Sequence, residues 1–230
     1  MRRISLFLIT VCATLIGKGQ TNTNFAWQER SSTLSGGLEI GIPLGEYDFT
    51  WGANTFGLSA NVALPMRVLP LDIGYDFGWS RMGSEYGEPL NPSGLLSANT
   101  GREVRVKSNV YNHHLLLRLN PLRGRIRPYG DLMMGARHFS TRSIASAANG
   151  ESEEERDGAF AGSAGWAVGT MVSLSRQIYV EARVERLFSG KVSYVDPRTI
   201  TIANDGSVTY EKLTSRTDVV NVQLGVGLRF

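Results

Sequence analysis

Cysteine is almost missing from this chain: the only one, Cys12, sits in an apolar run near the start. A disulfide framework is therefore excluded. Histidine is scarce as well, with three in 230 residues. Two of them, His113 and His114, are adjacent, so on a strand they point to opposite faces and make a poor metal site. Beyond residue 20 no apolar run is long enough for a transmembrane helix. An excess of one charge is also lacking, because 24 Lys and Arg face 21 Asp and Glu. No basic patch is interleaved with aromatics, which argues against nucleic acid as a partner. No Gly-rich phosphate loop occurs, and no cofactor is expected.

The N-terminus is the first positive feature. "MRRISLFLITVCATLIGKGQ" opens with Arg2 and Arg3, continues with an apolar run over residues 4–16, and reaches the small residues Gly17 and Gly19. This is the pattern of a secretory signal peptide over residues 1–20, too short to span the hydrocarbon core. Cys12 lies inside the run after Val11, with more apolar residues behind it, so it is not placed for lipidation. The mature chain would then hold no cysteine, and residues 21–34 read as a short periplasmic N-terminal segment.

From residue 35 to 230 the chain shows segments of about ten residues with two-period alternation, separated by turn-rich stretches. "LEIGIPLG" sets Leu38, Ile40 and Ile42 against Glu39 and Gly41. "FGLSANVAL", "LDIGYDFGW", "YNHHLLLRL", "PYGDLMMGAR", "WAVGTMVSL" and "IYVEARV" follow the same rule. The last residues, "VVNVQLGVGLRF", alternate without a break from Val220 to Phe230. Eight such segments predict an all-β fold, an eight-stranded antiparallel up-and-down transmembrane β-barrel. Short connections ("MRVLP", "NPLRGR", "SRQ") alternate with four long ones, which predicts periplasmic turns on one side and extracellular loops on the other. In the fourth loop, "TITIANDGSVTYE" carries Asn204-Asp205-Gly206 between two alternating runs, a hairpin signal. A soluble β-sandwich or lipocalin-like barrel shows the same period, with the apolar face turned inward. The signal peptide, the alternating loop lengths and the Gly-rich polar face favour the membrane form.

These residues resemble the small outer-membrane barrels of the OmpA/OmpX type, in particular the outer membrane protein β-barrel or porin-family proteins of Bacteroidetes. The likeness rests on the terminal strand ending in Phe230 and on "RPYGDLMMGAR". It implies a place in the bacterial outer membrane, among its lipids and lipopolysaccharide. It also implies that Val226, Leu228 and Phe230 form the signal read by the barrel-assembly machinery during insertion. The likeness stops short of the peptidoglycan-binding domain of full OmpA proteins, so no anchoring to the wall is expected.

By parity the barrel interior carries both signs: Glu39, Asp72, Asp76, Asp131 and Glu181 against Arg118, Arg127, Arg137, Arg183 and Arg229. An eight-stranded barrel is just wide enough for its own side chains to fill it, and buried charges must be paired. These ten residues therefore read as an internal charge network that fills the lumen. The role that follows is structural or surface-interactive, with the outer loops as the binding surface for an unidentified extracellular ligand. A narrow pore for small solutes or ions is the alternative. A third reading is enzymatic. His138 and Ser140 share one face of a strand, with Glu151 and Glu153 in the following loop, as in the lipid A deacylases that pair His-x-Ser with a Glu. Here Thr141 stands where that motif has Asn, and the acidic run reads as a solvated loop, so no enzyme is expected. Phe56, Trp79, Tyr111 and Trp166 are expected to form the outer aromatic girdle and Phe230 to belong to the inner one. Arg186 faces outward by parity near the outer end of its strand, unless a β-bulge turns it inward.

Overall fold

The computed structural model describes residues 31–66, 69, 71–87, 103–122, 124–146, 152–196, 199, 201–202 and 208–230. The signal segment over residues 1–20 lies outside them. Twelve strands and one short helix follow in chain order. They are β1 (Thr33–Pro43), α1 (Glu46–Thr50), β2 (Thr55–Pro65), β3 (Leu71–Gly87), β4 (Glu103–Leu119), β5 (Ile126–Ser146) and β6 (Ser152–Ser173). Then come β7 (Ile178–Ser189), β8 (Lys191–Val195), β9 (Thr201–Ile202), β10 (Val208–Thr209), β11 (Lys212–Arg216) and β12 (Val219–Arg229). Strands β1 to β7 pair with their sequence neighbours, all antiparallel, and β12 pairs with both β7 and β1 to close the barrel. Closure leaves no sheet edge.

The register fixes the shape. A cross-strand row that leaves β6 at Phe160 runs through His138, Tyr111, Trp79, Leu58, Leu38, Leu224 and Ala182. It re-enters β6 at Thr170, ten residues further on. Such a stagger requires the strands to lean by roughly 40° from the barrel axis. At that lean about ten residues cross a bilayer core.

Four strands run past the segments expected from alternation. β3 reaches Gly87, β4 starts at Glu103, β5 reaches Ser146 and β6 starts at Ser152. The described parts of the second and third loops are thus largely strand. The cause is physical: above the membrane the outward face no longer has to be apolar, so the two-period signal fades while the backbone pairing continues. β1 starts at Thr33, before the boundary expected at 35, because Thr33 and Ser35 turn inward around the outward Leu34. In the fourth loop β8 pairs with β11 and β9 with β10, in keeping with the expected hairpin. The Asn204-Asp205-Gly206 turn itself lies outside the described residues. The short connections are tight: Met66 N–H donates to Leu71 O at 2.9 Å, and Ser175 Oγ accepts from the N–H groups of Gln177 and Ile178.

Candidate functional site

Strand parity delivers two opposite surfaces, the lumen and the outer wall. The lumen is polar in its middle. Arg118 and Asp131 are cross-strand partners on β4 and β5. Their fork is two-pronged, with Nε to Oδ1 at 2.8 Å and Nη2 to Oδ2 at 3.0 Å. Arg118 also lies over the Tyr129 ring, 3.9 Å from its centre, and reaches Asn61 Oδ1 at 3.3 Å and Glu181 at 3.8 Å. Arg183 on β7 crosses the lumen to Asp76 on β3 at 2.8 Å, and touches Glu185 at 3.3 Å and Asp131 at 3.4 Å. Glu185 in turn accepts from Asn221, and Glu39 accepts from Ser80 and Gln223. Glu181 accepts hydrogen bonds from Ser35 and Tyr129. Glu39 and Glu185 are joined through Gln223, which donates to both. The structure therefore joins Glu39, Asp76, Arg118, Asp131, Glu181 and Arg183 in one hydrogen-bonded web.

The other four residues of the expected interior set are placed differently. Arg137 is buried above the web, held by Asn112 Oδ1 at 3.0 Å and by the Thr217 carbonyl. Asp72 is buried opposite Arg118 in register. Arg127 and Arg229 sit toward the short-turn end, where Arg127 donates to Gly124 O and Arg229 to Ser173 Oγ at 2.6 Å. Sequence reading missed Glu185, fully buried, and Asn112 as members of the polar interior, whereas the two-period pattern already puts Asn61, Asn221 and Gln223 on the polar face. Glu185 carries the same parity as Glu181 and Arg183, so the signal was present. The segment "IYVEARV" ends one residue short of Glu185, although the inward-outward alternation continues along β7.

Toward each end of the lumen an apolar cluster packs beside these polar groups. At the long-loop end, Tyr47 and Trp51 from α1 and its C-cap pack on Met82, Val110, Phe139, Ala161, Val192 and Tyr194. Gly45 (φ 58°) and Gly52 (φ 65°) allow the chain to turn in and out of α1 with left-handed backbone. Tyr194 of β8 meets Tyr47 edge-on at 5.8 Å and stacks on Phe139 at 5.7 Å. Burial pushes the Tyr47 phenol well above its ordinary range, so it stays neutral. Met82 reaches this lid through a bulge between Arg81 and Gly83. At the other end Tyr129, Met171 and Tyr179 form a floor. The Tyr129 ring fills the space over Gly169, and the Tyr179 ring fills that over Gly227, where any Cβ would collide with it.

The outer wall is the reverse. Leu38, Leu58, Leu115, Leu132, Met134, Val168, Leu224 and Val226 all point away from the barrel, with Leu38 68% and Leu132 64% exposed. Aqueous surroundings would leave this continuous apolar ring unfavourably solvated, whereas the charges are inside. That arrangement is what a bilayer selects. The chain is a membrane-spanning β-barrel. Its soluble counterpart, with the apolar face inward, is overturned by these orientations. No described helix is long and apolar enough to cross a membrane, and the crossing is made by strands.

On the barrel's outer wall Trp79, Tyr111, His138 and Phe160 form one cross-strand row. Phe56 lies one row further toward the loops, opposite Arg81. Trp166 sits well inside β6 and faces Arg186. Arg186 points outward: the pairing of β7 is continuous on both sides, with no bulge, and its guanidinium lies over Phe188 and 3.6 Å from Asp218. His138 and Ser140 both face out. The His138 ring stacks on Phe160, centres 4.2 Å apart and nearly parallel, and on Tyr111 at 5.8 Å. Glu151 lies outside the described residues, as does the side chain of Glu153.

Neither a family model nor a curated protein matches the chain. Among solved structures the barrel is similar to Ail, the attachment invasion locus protein of Yersinia pestis, in complex with the heparin analogue sucrose octasulfate. That match has 15% identity over 88% of this chain and 100% of that one, with a TM-score of 0.45. A major outer membrane protein of Thermus thermophilus matches with 12% identity over 87% and 100% of the two chains, TM-score 0.43. Neisserial surface protein A matches with 10% identity over 86% and 97%, TM-score 0.39.

Proposed function

We propose that this barrel is a closed, non-catalytic outer-membrane protein whose lumen is a strut and whose outer loops and strand extensions are its working surface. What supports this reading most is the Arg183–Asp76 bridge, which ties β7 to β3 across the lumen at 2.8 Å beneath the apolar lid. In a barrel of eight strands there is room for side chains or for solutes, not for both. The buried web here occupies the middle, and the lid and floor shut both ends. The interaction partners belong to the loop side and to the surrounding lipid, including lipopolysaccharide. The terminal residues Val226, Leu228 and Phe230 serve the barrel-assembly machinery. Planar-bilayer recording of the folded barrel tests the closed lumen: the expected trace is flat. Discrete, reproducible conductance steps would sink the reading in favour of a narrow pore.

A further inference from the structure

One patch of the outer wall departs from the rest. Just beyond the aromatic row, toward the loop end, the next cross-strand row is Arg81, Asn109, Ser140 and Gly158. The row after it sets Lys107, Arg142 and Arg156 side by side in register. The small residues of the middle row leave a hollow of about 640 Å³, walled by the Trp79 and Tyr111 rings below and by the cations above. Arg81 lies two residues beyond Trp79, and Lys107 four residues from Tyr111. These offsets correspond to about 7 Å and about 13 Å along the strands. Aromatic girdles mark the level where hydrocarbon gives way to headgroups, so the cations stand at the depth of lipid phosphates. The nearest described acid on these strands, Asp157, is engaged by Lys212 at 2.6 Å.

We propose that this hollow binds the phosphorylated headgroup of an outer-leaflet lipid. Guanidinium groups match phosphate oxygens with paired donors, and the ammonium of Lys107 adds a mobile charge. Arg142 and Arg156 hold contacts within the protein as well, so Arg81 and Lys107 are the residues on which the site is tested. The aromatic row beneath packs the apolar part of the lipid. The site rests on the membrane-spanning, closed-barrel reading and adds to it a defined lipid position on one side of the barrel.

The test uses the folded barrel in detergent micelles holding phosphatidylcholine and bisphosphorylated lipid A at equal concentration, read by native mass spectrometry. The native protein is expected to retain lipid A over phosphatidylcholine. R81Q/K107Q should weaken that retention about 30-fold, as two surface cations facing an anionic lipid predict. R81K/K107R should keep it, which separates lost charge from damaged folding. Equal retention by the native protein and R81Q/K107Q overturns the proposal. So does displacement of lipid A by millimolar inorganic phosphate, which would identify a site for a free anion instead. Conductance of the same preparation is recorded in parallel. Steps combined with selective retention would remove the closed lumen and leave the lipid site standing, and a silent barrel without selectivity would do the opposite.

Discussion

Three carboxylates converge on Arg183: Asp76 at 2.8 Å, Glu185 at 3.3 Å and Asp131 at 3.4 Å. All three are buried. Asp131 also has Arg118, while Asp76 and Glu185 have Arg183 as their salt-bridge partner among the described residues. Removing one partner from a buried ion cluster typically costs about 3–5 kcal/mol, because the remaining charges stay desolvated. Arg183→Ala should therefore lower the unfolding free energy of the barrel in lipid vesicles by that amount, read as a shift of the urea midpoint. Arg183→Lys keeps the charge but loses the fork, and should fall between the native protein and the alanine variant. At this scale the sequence was informative. Parity alone placed Asp76, Asp131 and Arg183 inward, and they meet. It could not say that Arg183 crosses the lumen while Arg118 pairs with its neighbouring strand, since that depends on side-chain reach and barrel width. Parity also puts Asn221 and Gln223 on the polar face, but it could not say that they donate to Glu185 and Glu39.

The lid is an element with its own logic. A helix of five residues and a two-stranded hairpin place Tyr47, Trp51, Val192 and Tyr194 in the mouth. Ser163, which lies below this lid on β6 and contacts His114 at 2.5 Å, is a suitable reporter because the mature chain is expected to hold no cysteine. In Ser163→Cys the thiol should be inert toward a membrane-impermeant thiol reagent. Adding Tyr47→Ala and Trp51→Ala should raise its modification rate about tenfold or more, as loss of local packing lets the mouth open. An unchanged rate would show that the lid seals nothing. The lid was not legible beforehand. "EYDFTWGANT" reads as an outer loop because five residues give no helical period, and the hydrogen bond between Thr50 of α1 and Tyr194 of β8 joins positions 144 residues apart. The membrane-crossing parts of β1, β2, β7 and β12 were legible because lipid on one face and a crowded lumen on the other impose alternation. The extensions of β3 to β6 were not, since water on the outer face removes that demand.

At the level of the whole molecule, closure is made by the first and last barrel strands, and Phe230 N–H donates to Ser32 O at 3.1 Å where they meet. The Phe230 side chain is 70% exposed, so it adds little to the packed interior. Its proposed role as an assembly signal then has a clear signature. Deleting Phe230 should lower the amount of folded barrel in the outer membrane of cells several-fold, judged by the boiling-sensitive gel band. Spontaneous refolding into detergent should proceed as before. A parallel loss in both would assign Phe230 to stability instead. The number of strands was legible, but the stagger of ten residues was not, because register depends on which pairs face each other around the ring. The two principal ion pairs also differ in when they become available. Arg118 and Asp131 lie 13 positions apart on one hairpin, whereas Arg183 and Asp76 are separated by 107 positions and belong to strands that meet only across a finished cylinder. A half-wound sheet thus already carries the first pair neutralised but leaves the second pair's charges on distant strands, facing lipid or water. Assembly is thereby given a direction: Arg183 has Glu185 on its own strand from the start, but Asp76 waits for its cation until the cylinder is finished, and completion is the step that supplies it.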